Sequence, residues 1–178
     1  MARRAQSSFS GKEFERPKDS FGGSLLNGNN PKIKRPLESK LPIFLTLRAN
    51  KSLMRLPKNF ARVERIIERT NKKHGVTLYR HANVGNHLHL VIKIPGRSRW
   101  AAYIRELTGR LAQTVQGLRG DLPFWKHRPH TRIVGSWKKA FRTVLAYVDL
   151  NILEADGMIS RKEIRNLKDL RAIFQDSA

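Results

Sequence analysis

Two histidines one residue apart, His87 and His89, lie in the stretch Gly85-Asn86-His87-Leu88-His89-Leu90-Val91-Ile92. The branched apolar run around them reads as a strand, on which side chains two apart share a face. The two imidazoles are then about 6.6 Å apart along the strand, close enough to ligate one metal ion. Leu88, Leu90, Ile92 and Ile94 point the other way and can form a core. On its own His-Leu-His is a weak motif that two ordinary strand histidines explain more readily, so its meaning depends on what else reaches that face.

Two further groups of residues bear on that question. In Tyr147-Val148-Asp149-Leu150-Asn151, Tyr147 and Asn151 stand four apart and are neighbours on one side of a helix. They lie at the edge of its apolar face, where a side chain is both held and reachable, although a half-buried packing tyrosine has the same pattern. The second group is the basic block Phe124-Trp125-Lys126-His127-Arg128-Pro129-His130-Thr131-Arg132, continued by Lys138, Lys139 and Arg142. No acid occurs between Asp121 and Asp149. Aromatics among cations suit single-stranded nucleic acid, whose bases stack and whose backbone needs neutralising. Trp125, Lys126, His127, Arg128, His130, Arg132, Lys138, Lys139 and Arg142 are therefore the candidate nucleic-acid contacts. A merely solvated basic face, or a four-histidine zinc site made by His127 and His130 with His87 and His89, are the competing readings.

Composition supports a nucleic-acid partner. The 178 residues carry 36 Lys and Arg against 14 Asp and Glu, a net charge of +22. That excess favours a polyanion. With no cysteine, disulfides and thiolate metal sites are excluded. No apolar run approaches the roughly 18 residues of a membrane span, and the N-terminus lacks the apolar block of a secretory signal. A cytoplasmic protein with no membrane partner is expected.

The elements that must position these residues follow from periodicity. Residues 1–40 are rich in Gly, Ser, Asn, Pro and charge, and are expected to form a flexible basic tail. A strand is expected over 41–48 and a helix over 59–73, N-capped by Asn59 and closed by Gly75. Strands over 76–82 and 86–94 flank Gly85 and should form an antiparallel hairpin. An amphipathic helix over 98–118 follows, with Trp100, Ile104, Leu107, Leu111, Val115 and Leu118 as its stripe. A short strand over 131–134 comes next, then a helix capped by Ser136 and running to about Asn151, with Trp137, Ala140, Phe141, Val144, Leu145 and Val148 inward. Ser160 and Glu163 form a capping box for a last helix within 158–178. The order β-α-β-β-α-β-α-α predicts an α+β fold: an antiparallel sheet with helices on one face, ferredoxin-like or RRM-like.

In combination, Pro42–Arg48 with its Leu-Thr-Leu-Arg, the Gly-Asn-His-Leu-His-Leu-Val-Ile block, Phe-Trp-Lys-His-Arg and Tyr-Val-Asp-Leu-Asn resemble the single-tyrosine HUH transposases of bacterial insertion sequences. The likeness is strongest to the REP-associated tyrosine transposases and covers about residues 41–157. The resemblance implies an HUH endonuclease core in a bacterial protein, nucleoid-associated when bound to DNA. It implies that His87 and His89 bind metal, that Asn151 is the third ligand and that Tyr147 is the nucleophile. Imidazole and amide oxygen suit Mg²⁺ or Mn²⁺. The implied activity is metal-dependent nicking and rejoining of single-stranded DNA beside a hairpin, through a 5′-phosphotyrosine. Relatives act as monomers or as homodimers that exchange the tyrosine helix, so both arrangements remain open. Two departures weaken any transfer of DNA sequence preference. Residues 151–157 read Asn-Ile-Leu-Glu-Ala-Asp-Gly, where many relatives have Asn-Pro-Val and a basic residue, and Pro129 stands where an aromatic or small residue is common.

The alternative of a different class is a domesticated, non-catalytic module that binds structured DNA or RNA with the same surface. Retention of all four candidate active-site residues argues against it. A histidine-metal hydrolase of small phosphoesters fits poorly with the charge of +22 and with the lack of acids near the histidines.

Overall fold

The computed structural model describes residues 20–23, 34–117, 123–135 and 138–160. Its elements are β1 (Ser20–Gly23), β2 (Ile43–Arg48), α1 (Pro57–His74), β3 (Thr77–Asn83), β4 (His87–Lys93), α2 (Arg97–Gln116), β5 (Arg128–Ile133) and α3 (Lys139–Ala155). The strands form one sheet in the order β1-β5-β2-β4-β3, and every neighbouring pair is antiparallel. From β2 to β5 this is the βαββαβ arrangement expected of a ferredoxin-like α+β fold.

The central strand β4 decides the layering. Leu88, Leu90 and Ile92 are fully buried on one face, and Val91 is fully buried on the other. The first face packs with Ile43, Leu45 and Leu47 of β2 against Val63 and Ile67 of α1 and Trp100, Tyr103, Leu107 and Leu111 of α2. The second face seats α3, where Val148 meets Val91 and Ala82, flanked by Phe44, Tyr79, Phe141, Val144, Leu145 and Ile152. The expectation of helices on one face is thus corrected. A strand apolar on both sides offers two seats, and the third helix takes the one facing the histidines.

Several boundaries also move. α1 begins at Pro57, whose fixed φ suits the first helical turn, so Asn59 is inside the helix instead of capping it. Asn59 is buried and its Nδ2 donates to Leu53 O at 2.9 Å. Gly75 closes α1 in the left-handed conformation, φ 65°, as expected. Tyr103, absent from the expected stripe of α2, is fully buried and donates its hydroxyl to Asn71 Oδ1 of α1 at 2.9 Å. α3 begins at Lys139 and continues to Ala155, later at both ends than expected. Ser136, Trp137, Leu118 and the last helix beyond Ser160 lie outside the described residues.

Strand β5 starts at Arg128, three residues earlier than its apolar pattern indicates, because β1 pairs with it from Arg128 and β2 from His130. β2 pairs with it from Ile43 opposite Ile133 to Thr46 opposite His130. On its other side lies β1, within the segment expected to be tail, with Ser20 opposite Arg132 and Phe21 opposite Thr131. Pro129 falls at the β1 irregularity between Phe21 and Gly23, where no regular ladder bond is lost. Gly22 there has φ 85°, and a Cβ would stand 2.1 Å from Pro129 O. Arg35 fastens this edge. Its guanidinium donates to Pro129 O at 2.9 Å and Thr131 Oγ1 at 2.7 Å and lies 4.4 Å from the Phe21 ring centre.

Candidate active site

The β3–β4 turn sets the histidines. Val84 N–H donates to His87 O at 3.0 Å, and Gly85 adopts φ 91° under Ser52, whose Oγ would be 2.4 Å from any Cβ. From that turn the alternation of β4 carries His87 and His89 onto the face opposite Leu88, Leu90 and Ile92. Their ring centroids are 4.7 Å apart, at 87°. His89 is nearly inaccessible, with 4% exposure.

Each imidazole is oriented through Nδ1. Thr46, directly across the ladder from His89, places Oγ1 3.2 Å from His89 Nδ1. Asn86 places Oδ1 2.6 Å from His87 Nδ1. An amide oxygen only accepts, so His87 Nδ1 carries the hydrogen, which in the neutral ring leaves the lone pair on Nε2. That tautomer is the one metal-bound histidines adopt when the second nitrogen donates to an oxygen. Phe44 lies flat against His89, centroids 5.4 Å apart at 9°.

Helix α3 brings Tyr147 to this face. Its ring centroid lies 5.5 Å from that of His89, at 78°, and 5.8 Å from Phe44, at 86°. All three rings belong to one chain. Tyr147 is 37% exposed, packed on one side and open on the other. One turn on, Asn151 is buried and donates Nδ2 to Tyr147 O at 2.6 Å. An asparagine ligates a hard cation through Oδ1, an orientation with which this Nδ2 bond is compatible.

The basic block divides by strand parity. His130 stands opposite Thr46 and Arg132 opposite Phe44, and directly opposed residues share a face. His130 and Arg132 therefore join the histidine face, and Arg132 is exposed; Arg128, beyond the register shift opposite Phe21–Gly23, is exposed at the start of the strand. Arg48, opposite His87 and also exposed, extends this cationic row. Burial first, then Arg35 and Arg132, lowers the pKa of His130, which favours its neutral form. Lys126, Lys138, Lys139 and Arg142 are exposed and His127 is half-buried.

The aromatics of the block have another position. Phe124 is buried, and Trp125 packs against the α1–α2 core with its indole N–H donating to Thr108 O at 3.0 Å. Trp125 is thus anchored, and Phe44 is the aromatic beside the histidines. Among the described residues no three His, Asp or Glu side chains converge as a metal cluster, so the four-histidine alternative does not form. Thr46, Asn86, Phe44 and Arg48 escaped the sequence reading. Period-two continuation through Phe44-Thr46-Arg48 was the available signal, but only pairing tells that this row adjoins His87 and His89.

The sequence matches no protein-family model and no curated protein. Among solved structures the chain is similar to a REP-associated tyrosine transposase bound to a REP hairpin, at 16% identity and TM-score 0.56, covering 73% of this chain and 76% of that one. A second similarity is to a protein from Deinococcus radiodurans R1 named as a candidate transposase, at 12% identity and TM-score 0.45, covering 68% of this chain and 98% of that one. The chain shares the fold of the REP-associated tyrosine transposase.

Proposed function

We propose that this protein is a transposase-type DNA nickase and strand transferase that acts on single-stranded DNA beside a hairpin. The observation carrying this reading is the meeting of Tyr147 with His89 within one chain. A packing tyrosine needs no oriented histidine pair, and an isolated histidine pair needs no half-exposed tyrosine. The hairpin in the neighbour of shared fold supports a hairpin-bearing substrate here.

His87 and His89, with Asn151 as third donor, would hold Mg²⁺ or Mn²⁺. Such an ion, when bound, polarises a phosphodiester and offsets its developing charge. The rest of the chemistry belongs to the chain. The exposed cations Arg48 and Arg132 on that face neutralise the backbone of an incoming strand. Tyr147 Oη attacks phosphorus, losing its proton to water. The new bond joins tyrosine oxygen to phosphorus, and the bond to the 3′-oxygen breaks, leaving a 3′-OH after protonation. Attack by a 3′-OH on the phosphotyrosine reverses the exchange and restores Tyr147. One phosphoester replaces another, so rejoining needs no ATP.

The test is covalent capture. Hairpin oligonucleotides with 3′-terminal fluorescein are incubated with the protein and Mg²⁺ or Mn²⁺, then run on a denaturing gel. A fluorescent protein band is expected from the wild type and none from Tyr147→Phe. Hairpin binding without any adduct, over several hairpins and both metals, would show a binding module in place of a nickase.

A further inference from the structure

The side of α3 away from the histidines carries Asp149, Asp156 follows at the C-cap, and both acids are paired in a strongly basic chain. Asp149 Oδ1 accepts from Arg80 Nε of β3 at 2.9 Å, and Asp156 Oδ1 accepts from Arg55 at 2.7 Å. At about 100° per residue, Asp149 lies about 200° around the helix from Tyr147, while Asn151 lies only about 40° from it. Asp156, seven residues after Asp149, returns to the same flank. The apolar stripe through Val148 and Ile152 runs between the two flanks. Hence one flank presents Tyr147 to His89 and Phe44, and the other is pinned to β3, the edge strand of the sheet.

Arg55 reaches further. It also donates to Asn83 O at 3.0 Å and lies 5.6 Å from the ring centre of Phe60. Asn83 is buried, and its Oδ1 accepts from Gly85 N–H at 3.1 Å. The turn that sets His87 is therefore tied, through one guanidinium, to the end of the helix that carries Tyr147.

We infer that Arg55 and Arg80 are positioning residues that fix the roll of α3 and so the placement of Tyr147 over the histidine pair. Apolar contacts hold the helix against the sheet but resist rotation about its axis weakly, because hydrophobic burial is non-directional. Ion pairs on the far flank oppose that rotation. A roll of about 20° moves a side-chain tip roughly 6 Å from the axis by about 2 Å. A shift of that size at a nucleophile costs on the order of a hundredfold in rate. This inference rests on the nicking role of Tyr147, yet the geometry it describes can be measured without catalysis.

The experiment is a charge exchange read in two ways. Arg80→Glu and Asp149→Arg change net charge in opposite directions, so an effect through general DNA attraction would move their rates oppositely. Loss of the pin instead slows single-turnover nicking by both, at least about tenfold, with melting temperature held. The double variant Arg80→Glu/Asp149→Arg should recover to within about threefold of wild type. In parallel, NMR cross-peaks between the Tyr147 ring and the Phe44 and His89 rings should weaken in each single variant and return in the double. Unchanged cross-peaks in the single variants, or a double variant that recovers neither signal nor rate, would overturn the inference. Should the wild type not nick DNA, the nickase reading falls while the cross-peaks still decide the positioning role.

Discussion

Tyr147 of α3 and His89 of β4 lie edge to face in one chain, their ring centroids 5.5 Å apart. Phe44 stacks on the same histidine from the neighbouring strand, so the imidazole is enclosed by two aromatic rings and the Thr46 hydroxyl. Such enclosure holds the tyrosine in place while 37% of its surface remains accessible. A group that is fixed yet reachable is what an attacking oxygen requires. Five expectations follow from this arrangement and the scaffold beneath it.

Tyr147→Phe retains the ring that packs on Phe44 and removes only the oxygen. Its melting temperature should match the wild type and its hairpin affinity should stay within about twofold, a negligible free-energy change. Nicking and adduct formation should vanish. Wild-type cleavage by this variant, measured on labelled hairpin DNA, would show that another nucleophile acts.

His87→Ala or His89→Ala should abolish Mn²⁺ binding in a calorimetric titration, together with metal-dependent nicking. Thr46→Val is the subtler variant, because it keeps the side-chain shape and removes only the hydroxyl beside His89 Nδ1. Loss of such an orienting partner should weaken Mn²⁺ binding by about 10- to 100-fold. Equal affinity in Thr46→Val would separate the hydroxyl from the metal role.

Arg48 and Arg132 are exposed cations on the histidine face by register. If each neutralises one phosphate, its replacement by Ala should reduce the salt dependence of single-strand binding by about 0.7 in the log–log slope. The loss should be similar across DNA sequences, since phosphate contacts carry no base information. Fluorescence anisotropy over a series of salt concentrations reads both quantities.

Glu106 joins α1 to α2, and hydrogen bonds from Lys73 first and His74 second hold its pKa at about 2, below the ordinary 4.5. The folded carboxylate binds a proton less readily than the unfolded one. Its stabilisation is therefore complete above about pH 4.5 and is lost as pH falls through about 2. Glu106→Gln should melt below the wild type at neutral pH, and the two curves should converge near pH 2. A gap that does not narrow on acidification would contradict the assigned pairing.

Tyr103→Phe leaves the Asn71 side chain, buried between the same two helices, without its hydroxyl donor. A buried polar group losing its partner costs about 1–3 kcal/mol. Chemical denaturation should show that loss with an unchanged slope, and nicking at temperatures well below melting should be unaffected.

Much of the site is legible in the residue order, for a physical reason. Alternation along a strand obliges His87 and His89 to oppose Leu88 and Leu90, whatever the strand pairs with. The 3.6-residue repeat likewise obliges Tyr147 and Asn151 to share one side of α3. Local geometry dictates these relations, and they survive unchanged in the fold. The helical ends at Pro57 and Lys139, and the early start of β5, differ from the periodic reading because chain pairing and a fixed proline φ outweigh local preference.

What remained undecided was everything set by contact between distant segments. Val91, buried opposite Leu90 and Ile92, gives α3 a second face of the sheet to occupy, and only that docking carries Tyr147 to His89. Pairing of β2 with β4 and β5 brings Thr46 to His89 and aligns Arg48, His130 and Arg132 beside them. The same folding withdraws Trp125 into the helical layer, against its reading as a surface aromatic. A sequence determines which side of its own strand or helix each residue takes; the face it meets is chosen by the burial of apolar surface across the whole chain.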